Sequence, residues 1–582
     1  MLVYLKYSEI GNEDGSVNNR GTEIDLFSYV EQNRSYLRER VIVEIDTIFD
    51  KRTLRQAWIK SIFFEKCNYN KILFIDYAVF LLAIFEIVEA NNPCHVYLSN
   101  CEASRQLVNT YPNFFTKDNF PICRFEFNPK SRESGFEYSP NLFGRFFREI
   151  DLFTVLAKFV SRIILLKLFY GRLGGCCSSN ILVSYFPTGS EDTGPEGDSV
   201  FGDVDTAFSD TTSFVFVPTW HRFIKNYLRN IFSADKQRRK FFLSNISVLE
   251  IFRFFFRAKS EFSESNAILR REEFEESEIW CSAIRESVIT LSHKKVNFVS
   301  FIEYYLYRKS CSRFLSDCSP LMIKRIIFPF ENQSWERAIL SGVDRKRIKR
   351  IGYAHSAIRF WDLRYFNRSI FGLGSTDWLK LDALVTSADI GRRLIDNFVE
   401  GANVICLPSL RYAKATRRRS RSSFVSETVV GVFADQDAEL SRKALDIYLE
   451  LLHVPDLICV FVPHPRSALV FKCSDRNFSQ YVVHCKSIQD WAVWLDLVIT
   501  GPSTTAAIDL LEAGLKVCYF NFDRLDFSPA ADISDCLCFR SREELLGWVK
   551  SSGKRVDKEL IPVNEEYFLY GTSRDWSRLE SL

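Results

Sequence analysis

The sequence predicts an α/β protein with two Rossmann-like domains facing a cleft and a helical and loop insertion in its N-terminal half. Three observations predict it. From Thr428 onward, short β-branched runs alternate with helical patterns of about ten to fifteen residues, the rhythm of parallel strands joined by crossover helices. Residues 321–412 repeat that rhythm. The chain also has 582 residues, more than one hydrophobic core usually serves.

The first domain spans 1–412. Its opening half is read at KILFIDYAVFLLAIFEIVEANNPCHVYLSN (71–100) and its closing half at IKRIIFPFENQSWERAILSG, IKRIGYAHS, LDALVTSADIGRRLIDNFV and NVICLPSLRY. An insertion over about 101–320 separates the halves. It contains the acidic, Gly-bearing stretch 188–212, a surface loop by composition. KATRRRSRSSFVSE marks a solvated linker over 413–427. The second domain, 428–560, runs through VVGVFADQD, LICVFVPHPR, DLVIT, GPSTTAAIDLLEAG and KVCYFNF. A tail over 561–582 is expected to pack back on the first domain.

Hydrophobic residues make up 47% and charged residues 26%, the balance of a soluble globular protein. With 76 basic against 73 acidic side chains, the chain lacks the basic excess of a nucleic-acid binder. Sixteen Cys are scattered without CxxC spacing, which reads as reduced thiols packed as small apolar residues and not as a zinc site. The start, MLVYLKYSEIGNEDGS, has neither the basic opening nor the apolar core of a signal peptide, so a cytoplasmic location is expected. No run reaches the ~20 uncharged apolar residues of a spanning helix. Residues 74–90 and 152–170 read as amphipathic core helices. The cations Arg145, Arg148, Lys158, Arg162 and Lys167 also suit 143–170 to peripheral contact with the inner face of a membrane.

Ligands of parallel sheets bind at the carboxyl ends of strands, and four such ends carry chemistry. In GPSTTAAIDLLEAG (501–514), Ser503, Thr504 and Thr505 open a helix. The free N–H groups and positive dipole end of such a helix attract phosphate. One hydroxyl suffices for capping, so the run of three points to a phosphate cradle. Glu512 is a candidate ribose contact and Gly514 a C-cap. In VPHPRS, Pro463 and Pro465 hold His464 in extended backbone, a rigid mount for a phosphate donor. In FPFENQSWERAIL (328–340), Glu331 ends a strand and is the candidate general base. Glu336 falls in the first helical turn, where carboxylates cap; Trp335 and Arg337 are candidate sugar contacts beside their default packing roles. In GYAHSAIRFW, at another strand end, His355 is a second catalytic candidate beside its alternative as a turn cap, Ser356 is a candidate sugar-carboxylate or acceptor contact, and Arg359 could hold the donor's carboxylate bidentately. Asp435 ends the first strand of the second domain, where it either lines the cleft or serves a turn. Asp203-Val204-Asp205 has the DxD form of a metal site, but no strand leads into it, and no metal is assigned.

The ordered set His464-Pro465 and Ser503-Thr504-Thr505 resembles bacterial GT-B glycosyltransferases that use CMP-activated acidic sugars, the sialyltransferases and Kdo transferases of capsule and lipopolysaccharide assembly. FPFENQSWERAIL, GYAHSAIRFWDLRYF and LPSLRY are similar to bacterial surface-carbohydrate biosynthesis proteins. The likeness covers the chain from about residue 320 onward. It implies a GT-B fold, a CMP-sugar as donor substrate with no other cofactor, and a glycan or glycolipid acceptor. It places His464, Pro465 and the Ser/Thr run on the donor phosphate and Glu331 near the active cleft. A UDP- or CDP-linked donor, glycerophosphate transfer, or a non-catalytic scaffold of polysaccharide assembly are the alternatives; inversion and retention both remain open.

Overall fold

Among the described residues, three parallel sheets organise the chain in the computed structural model. It describes residues 2–6, 22–50, 74–91, 95–98, 124–127, 152–170, 178–186, 201, 204–218, 240–257, 260, 295–318, 322–372, 379–408, 428–464, 494–522, 525–533, 536–552 and 573–582. Pro465, Arg466, the 413–427 linker, Cys176, Cys177, Asp203 and most of the acidic stretch fall outside the described residues, as do the side chains of Asp205 and Glu512.

At the N-terminus, β1 (Leu2–Lys6), β2 (Thr22–Asp25), β3 (His95–Leu98) and β4 (Arg124–Phe127) form a sheet in the order β2-β1-β3-β4. Next comes a seven-stranded sheet. Its strands are β5 (Asn180–Phe186), β6 (Thr212–Pro218), β7 (Lys240–Phe241), β8 (Arg325–Pro329), β9 (Lys349–Ala354), β10 (Ala383–Thr386) and β11 (Val404–Cys406). They are ordered β11-β10-β9-β8-β5-β6-β7. The last sheet holds β12 (Thr428–Phe433), β13 (Leu457–Val462), β14 (Leu497–Thr500), β15 (Lys516–Phe520) and β16 (Leu537–Phe539), ordered β13-β12-β14-β15-β16. Every recorded pairing is parallel.

The two larger sheets are the Rossmann-like pair of a GT-B fold. Central strands covered on both faces are apolar throughout, and β8, β10, β12 and β14 are buried at every position. In the five-stranded sheet, Val430, Val432 and Ile499 face Ala444, Ile447 and Tyr448 on one side, while Val429 and Val498 face Leu510 and Leu515 on the other. Local capping follows the sequence. Asp437 accepts the Glu439 and Leu440 N–H groups to start the helix Ala438–Leu451. Gly514, at φ 76°, ends the helix Ala506–Glu512.

The expected insertion over 101–320 is corrected. Its segment 180–186 is a central strand, bonded to β6 on one side and β8 on the other. Within 71–100, read as that domain's opening half, Phe74–Asn91 is a helix and His95–Leu98 a strand of the N-terminal unit instead. Periodicity identifies strands but carries no signal of which strands pair across a hundred residues or more. The helices Leu26–Gln32, Arg34–Asp50 and Phe74–Asn91 bury their apolar sides in one core with the seven-stranded domain.

That N-terminal unit also touches the last domain. Arg34 bridges to Asp532 at 2.8 Å, Glu31 faces Arg540 at 3.4 Å, and Leu525 and Phe527 join the shared core. Residues 573–581 lie on the seven-stranded domain. There Trp576 packs edge-on to Tyr353 at 4.8 Å and donates its indole N–H to the Pro408 carbonyl. No described helix is long and apolar enough to cross a membrane. Leu152–Tyr170 turns Leu156, Phe159, Ile163 and Leu166 into the core, the amphipathic arrangement expected. Burial pushes the Cys459 and Cys538 thiols up to about 12.

Candidate functional site

In the seven-stranded sheet the direction of winding reverses between β5 and β8. A parallel sheet opens its ligand crevice at such a switch point. Tyr185, Glu331 and His355 stand at the carboxyl ends of β5, β8 and β9, three adjacent strands. The Pro329–Tyr353 pairing sets Glu331 beside His355, whose Nε2 is 3.8 Å from Glu331 Oε1.

The Glu331 carboxylate is held from several sides. Gln333 donates its amide N–H to Oε2 at 2.8 Å, and the Arg364 guanidinium lies 3.7 Å from the same oxygen. Gln333 is itself fixed by Trp335, which donates its indole N–H at 2.8 Å. Tyr185 packs edge-on to Trp335 at 5.6 Å. Trp335 is therefore a buried positioning side chain and not a sugar platform. Arg364 makes a two-pronged pair with Asp362, at 2.8 and 2.6 Å, inside the protein.

Glu336 performs the capping read from its position. Its carboxylate accepts the Glu331 N–H at 2.9 Å and the Gln333 N–H at 3.0 Å. It is fully buried, and that burial, reinforced by the Glu331 charge, holds its carboxyl well above the usual range. Burial and then the Glu331 charge likewise raise the Tyr185 phenol. Asn332, at φ 61°, takes the left-handed turn between strand and helix, which Asn tolerates better than most residues. Its side-chain amide donates to the Arg364 carbonyl at 3.0 Å.

Two expected sugar contacts are corrected. Arg337 is 0% exposed within its helix and has no surface for a sugar. Arg359 is 1% exposed and donates to the Ser503 carbonyl at 3.1 Å, across the domain junction. Ser356 stays half-buried beside His355. Because Arg359 follows β9 and Ser503 follows β14, the carboxyl ends of the two sheets meet here.

In the five-stranded sheet the switch point lies between β12 and β14. Asp435 and the loop Gly501–Thr505 occupy it. Asp435 is fully buried, accepting the Ser503 N–H at 2.8 Å and the Ser503 hydroxyl. Gly501 permits this approach, since a Cβ there would stand 2.7 Å from the Asp435 carboxylate. The hydroxyl run therefore divides. Ser503 serves Asp435, and Thr504 accepts the Ala506 N–H at 3.2 Å. Thr505 makes no side-chain cap and is half-buried. Turn formation uses two hydroxyls where the sequence suggested that one suffices.

His464 follows the end of β13, half-buried. β13 and β14 flank β12 and do not pair with each other, so His464 and the Ser503 loop are not on neighbouring strand ends. Asp435 stands between them. Among the described residues, no three His, Cys, Asp or Glu side chains cluster as metal ligands.

Tyr185, Gln333, Asp362 and Arg364 join this site without a motif in the sequence that singles them out as site residues. The first was hidden by assigning NILVSYF to an insertion. The Asp-x-Arg spacing within WDLRYF signals the pair Asp362–Arg364 but not its place at the site.

No protein-family model matches this chain, and no curated protein matches it. Among solved structures it is similar to the UDP-GlcNAc 2-epimerase of Neisseria meningitidis bound to UDP-GlcNAc, with 11% identity, TM-score 0.38 and coverage of 69% of this chain and 98% of that one. It is similar to Acinetobacter baumannii MurG at 9% identity and TM-score 0.37, covering 69% and 100%. The spinosyn rhamnosyltransferase SpnG complexed with thymidine diphosphate gives 8% and 0.32, covering 69% and 94%. At these identities and scores the likeness bears on neither substrate nor chemistry.

Proposed function

We propose that this chain is a glycosyltransferase drawing on a nucleotide-activated sugar. The observation that carries this reading is the Arg359–Ser503 contact at 3.1 Å. It sets the Glu331–His355 strand ends and the Ser503 loop at one junction, each at the switch point of its own sheet. Glu331 takes the proton of an acceptor hydroxyl as that oxygen attacks the anomeric carbon. The bond from that carbon to the donor phosphate breaks, and its electron pair departs with the nucleotide. Gln333, Arg364 and His355 anchor the carboxylate's orientation.

Within this reading the donor is a CMP-activated acidic sugar, Kdo or a nonulosonate, and the acceptor is a glycan or glycolipid. Support comes from the resemblance carried by His464-Pro465 and Ser503-Thr504-Thr505. The geometry adds that Ser503 is already engaged by Asp435, so the remaining donors suit one phosphate better than two. The same engagement favours a second reading, a non-catalytic chain that kept the fold, because a buried carboxylate fills part of the anion cradle.

Thermal shift with CMP, CDP and UDP, paired with donor turnover, separates the readings. Stabilisation by CMP is expected, with turnover abolished in folded Glu331→Ala and His464→Ala. A shift with UDP alone removes the CMP donor while keeping the transferase. No shift and no turnover with any donor leaves the scaffold.

A further inference from the structure

Helix 248–257 turns two kinds of surface in opposite directions. Ile251 and Phe255 are buried in the core. Phe254 stacks on Tyr305 at 6.3 Å, and Glu250 is neutralised by Arg313. On the other side Leu249, Phe252 and Phe256 are 60%, 39% and 63% exposed. Spacings of three and four residues put these three side chains in one line. A line of three large apolar groups in water needs an explanation beyond scattered surface hydrophobes.

Cations border it. Arg253 and Arg257 are exposed on the same helix, each one residue after an exposed Phe. The Arg257 guanidinium sits 5.9 Å from the Tyr305 ring. One turn on from Tyr305 along the helix Lys295–Asp317, Arg308 and Lys309 are also exposed. Among the described residues, the surface is thus an exposed apolar ridge with cations beside it.

We propose that helix 248–257 docks this protein on an anionic lipid surface, with Leu249, Phe252 and Phe256 entering the interface and the neighbouring cations meeting headgroups. A peptide partner would call for a groove, whereas a ridge flanked by cations matches a flat, negatively charged interface. This assignment stands independently of the glycosyltransferase reading. Helix Leu152–Tyr170, by comparison, turns Leu156, Phe159, Ile163 and Leu166 into the core; Arg145 and Arg148 of the 143–170 stretch lie outside the described residues.

The test is co-sedimentation of the full chain with vesicles of phosphatidylcholine alone or containing phosphatidylglycerol, at low and high salt. Binding is expected to the anionic vesicles and to fall with salt. The double variant Phe252→Ser/Phe256→Ser should lower partitioning at least tenfold with an unchanged melting temperature. Arg308→Gln/Lys309→Gln should weaken binding and flatten its salt dependence. Failure of the wild-type chain to bind anionic vesicles overturns the proposal. So does equal binding by the Phe252→Ser/Phe256→Ser variant. A wild-type dimer that this variant converts to monomer, without vesicle binding, would assign the ridge to a second copy.

Discussion

Replacing Asp435 by Ala tests whether this carboxylate holds the candidate donor loop. In the folded chain it accepts the Ser503 N–H at 2.8 Å, the Ser503 hydroxyl and, more weakly, the Asp437 N–H at 3.3 Å. A hydrogen bond to a charged group contributes about 1.5–3 kcal/mol, and a buried donor left without an acceptor costs about 1–3 kcal/mol. Removing a buried carboxylate also removes its desolvation cost. The net loss expected is about 2 kcal/mol, roughly a thirtyfold change in the local opening equilibrium. Hydrogen exchange is the assay, because it reads the segment 503–510 apart from the rest of the chain. In Asp435→Ala that segment should exchange roughly thirtyfold faster, while peptides from β8 and β9 keep their wild-type rates. The melting transition of the five-stranded domain should fall by about 4–8 °C. Asp435→Asn, which keeps one acceptor oxygen, should lose less. Exchange of 503–510 within twofold of wild type in Asp435→Ala would refute the reasoning, since the Ser503 bonds would then hold nothing in place.

Further outcomes follow from other contacts. Arg359→Ala removes a charged donor from the Ser503 carbonyl, a loss of about 1.5–3 kcal/mol. Calorimetry should show the five-stranded domain melting more independently of the rest. Glu336→Ala strands the Glu331 and Gln333 N–H groups and should cost about 2 kcal/mol in urea denaturation; Glu336→Gln, which keeps an acceptor, should cost less. Because burial and Glu331 raise the Glu336 carboxyl in the folded state, the folded chain binds that proton more tightly than the unfolded chain. Its contribution is full below the ordinary carboxylate value and declines as pH rises through the window up to the raised value. Glu336→Gln should flatten that part of the stability profile. Trp576→Ala empties a fully buried site against Tyr353 and Phe201 and should lower stability by about 3–5 kcal/mol.

Much of the candidate site was legible one strand at a time. Glu331, His355, His464 and Ser503 were each read at the end of an apolar, β-branched run, and each does follow a strand. Capping by Glu336 and Gly514 was also legible, because both act within a few residues of their own position. Arg337 and Arg359 were misread for one reason. Sequence marks both as cations near a strand end, but says nothing about whether the guanidinium faces a cleft or a core. The Ser503–Thr505 run was read as surplus to capping, which counted hydroxyls without knowing that a carboxylate 68 residues earlier would claim one.

The sequence by itself determined the alternation of strand and helix, the parallel character of the sheets and the residues standing at their carboxyl ends. Side-chain period, β-branching and turn chemistry are local, so each segment declares its own state. Only the tertiary structure decided that residues 180–186 sit beside β8, that β12 separates His464 from the Ser503 loop, and that Asp435 engages Ser503. Strand pairing and the satisfaction of buried polar groups join residues remote along the chain. Neither leaves a signature in the segments it brings together.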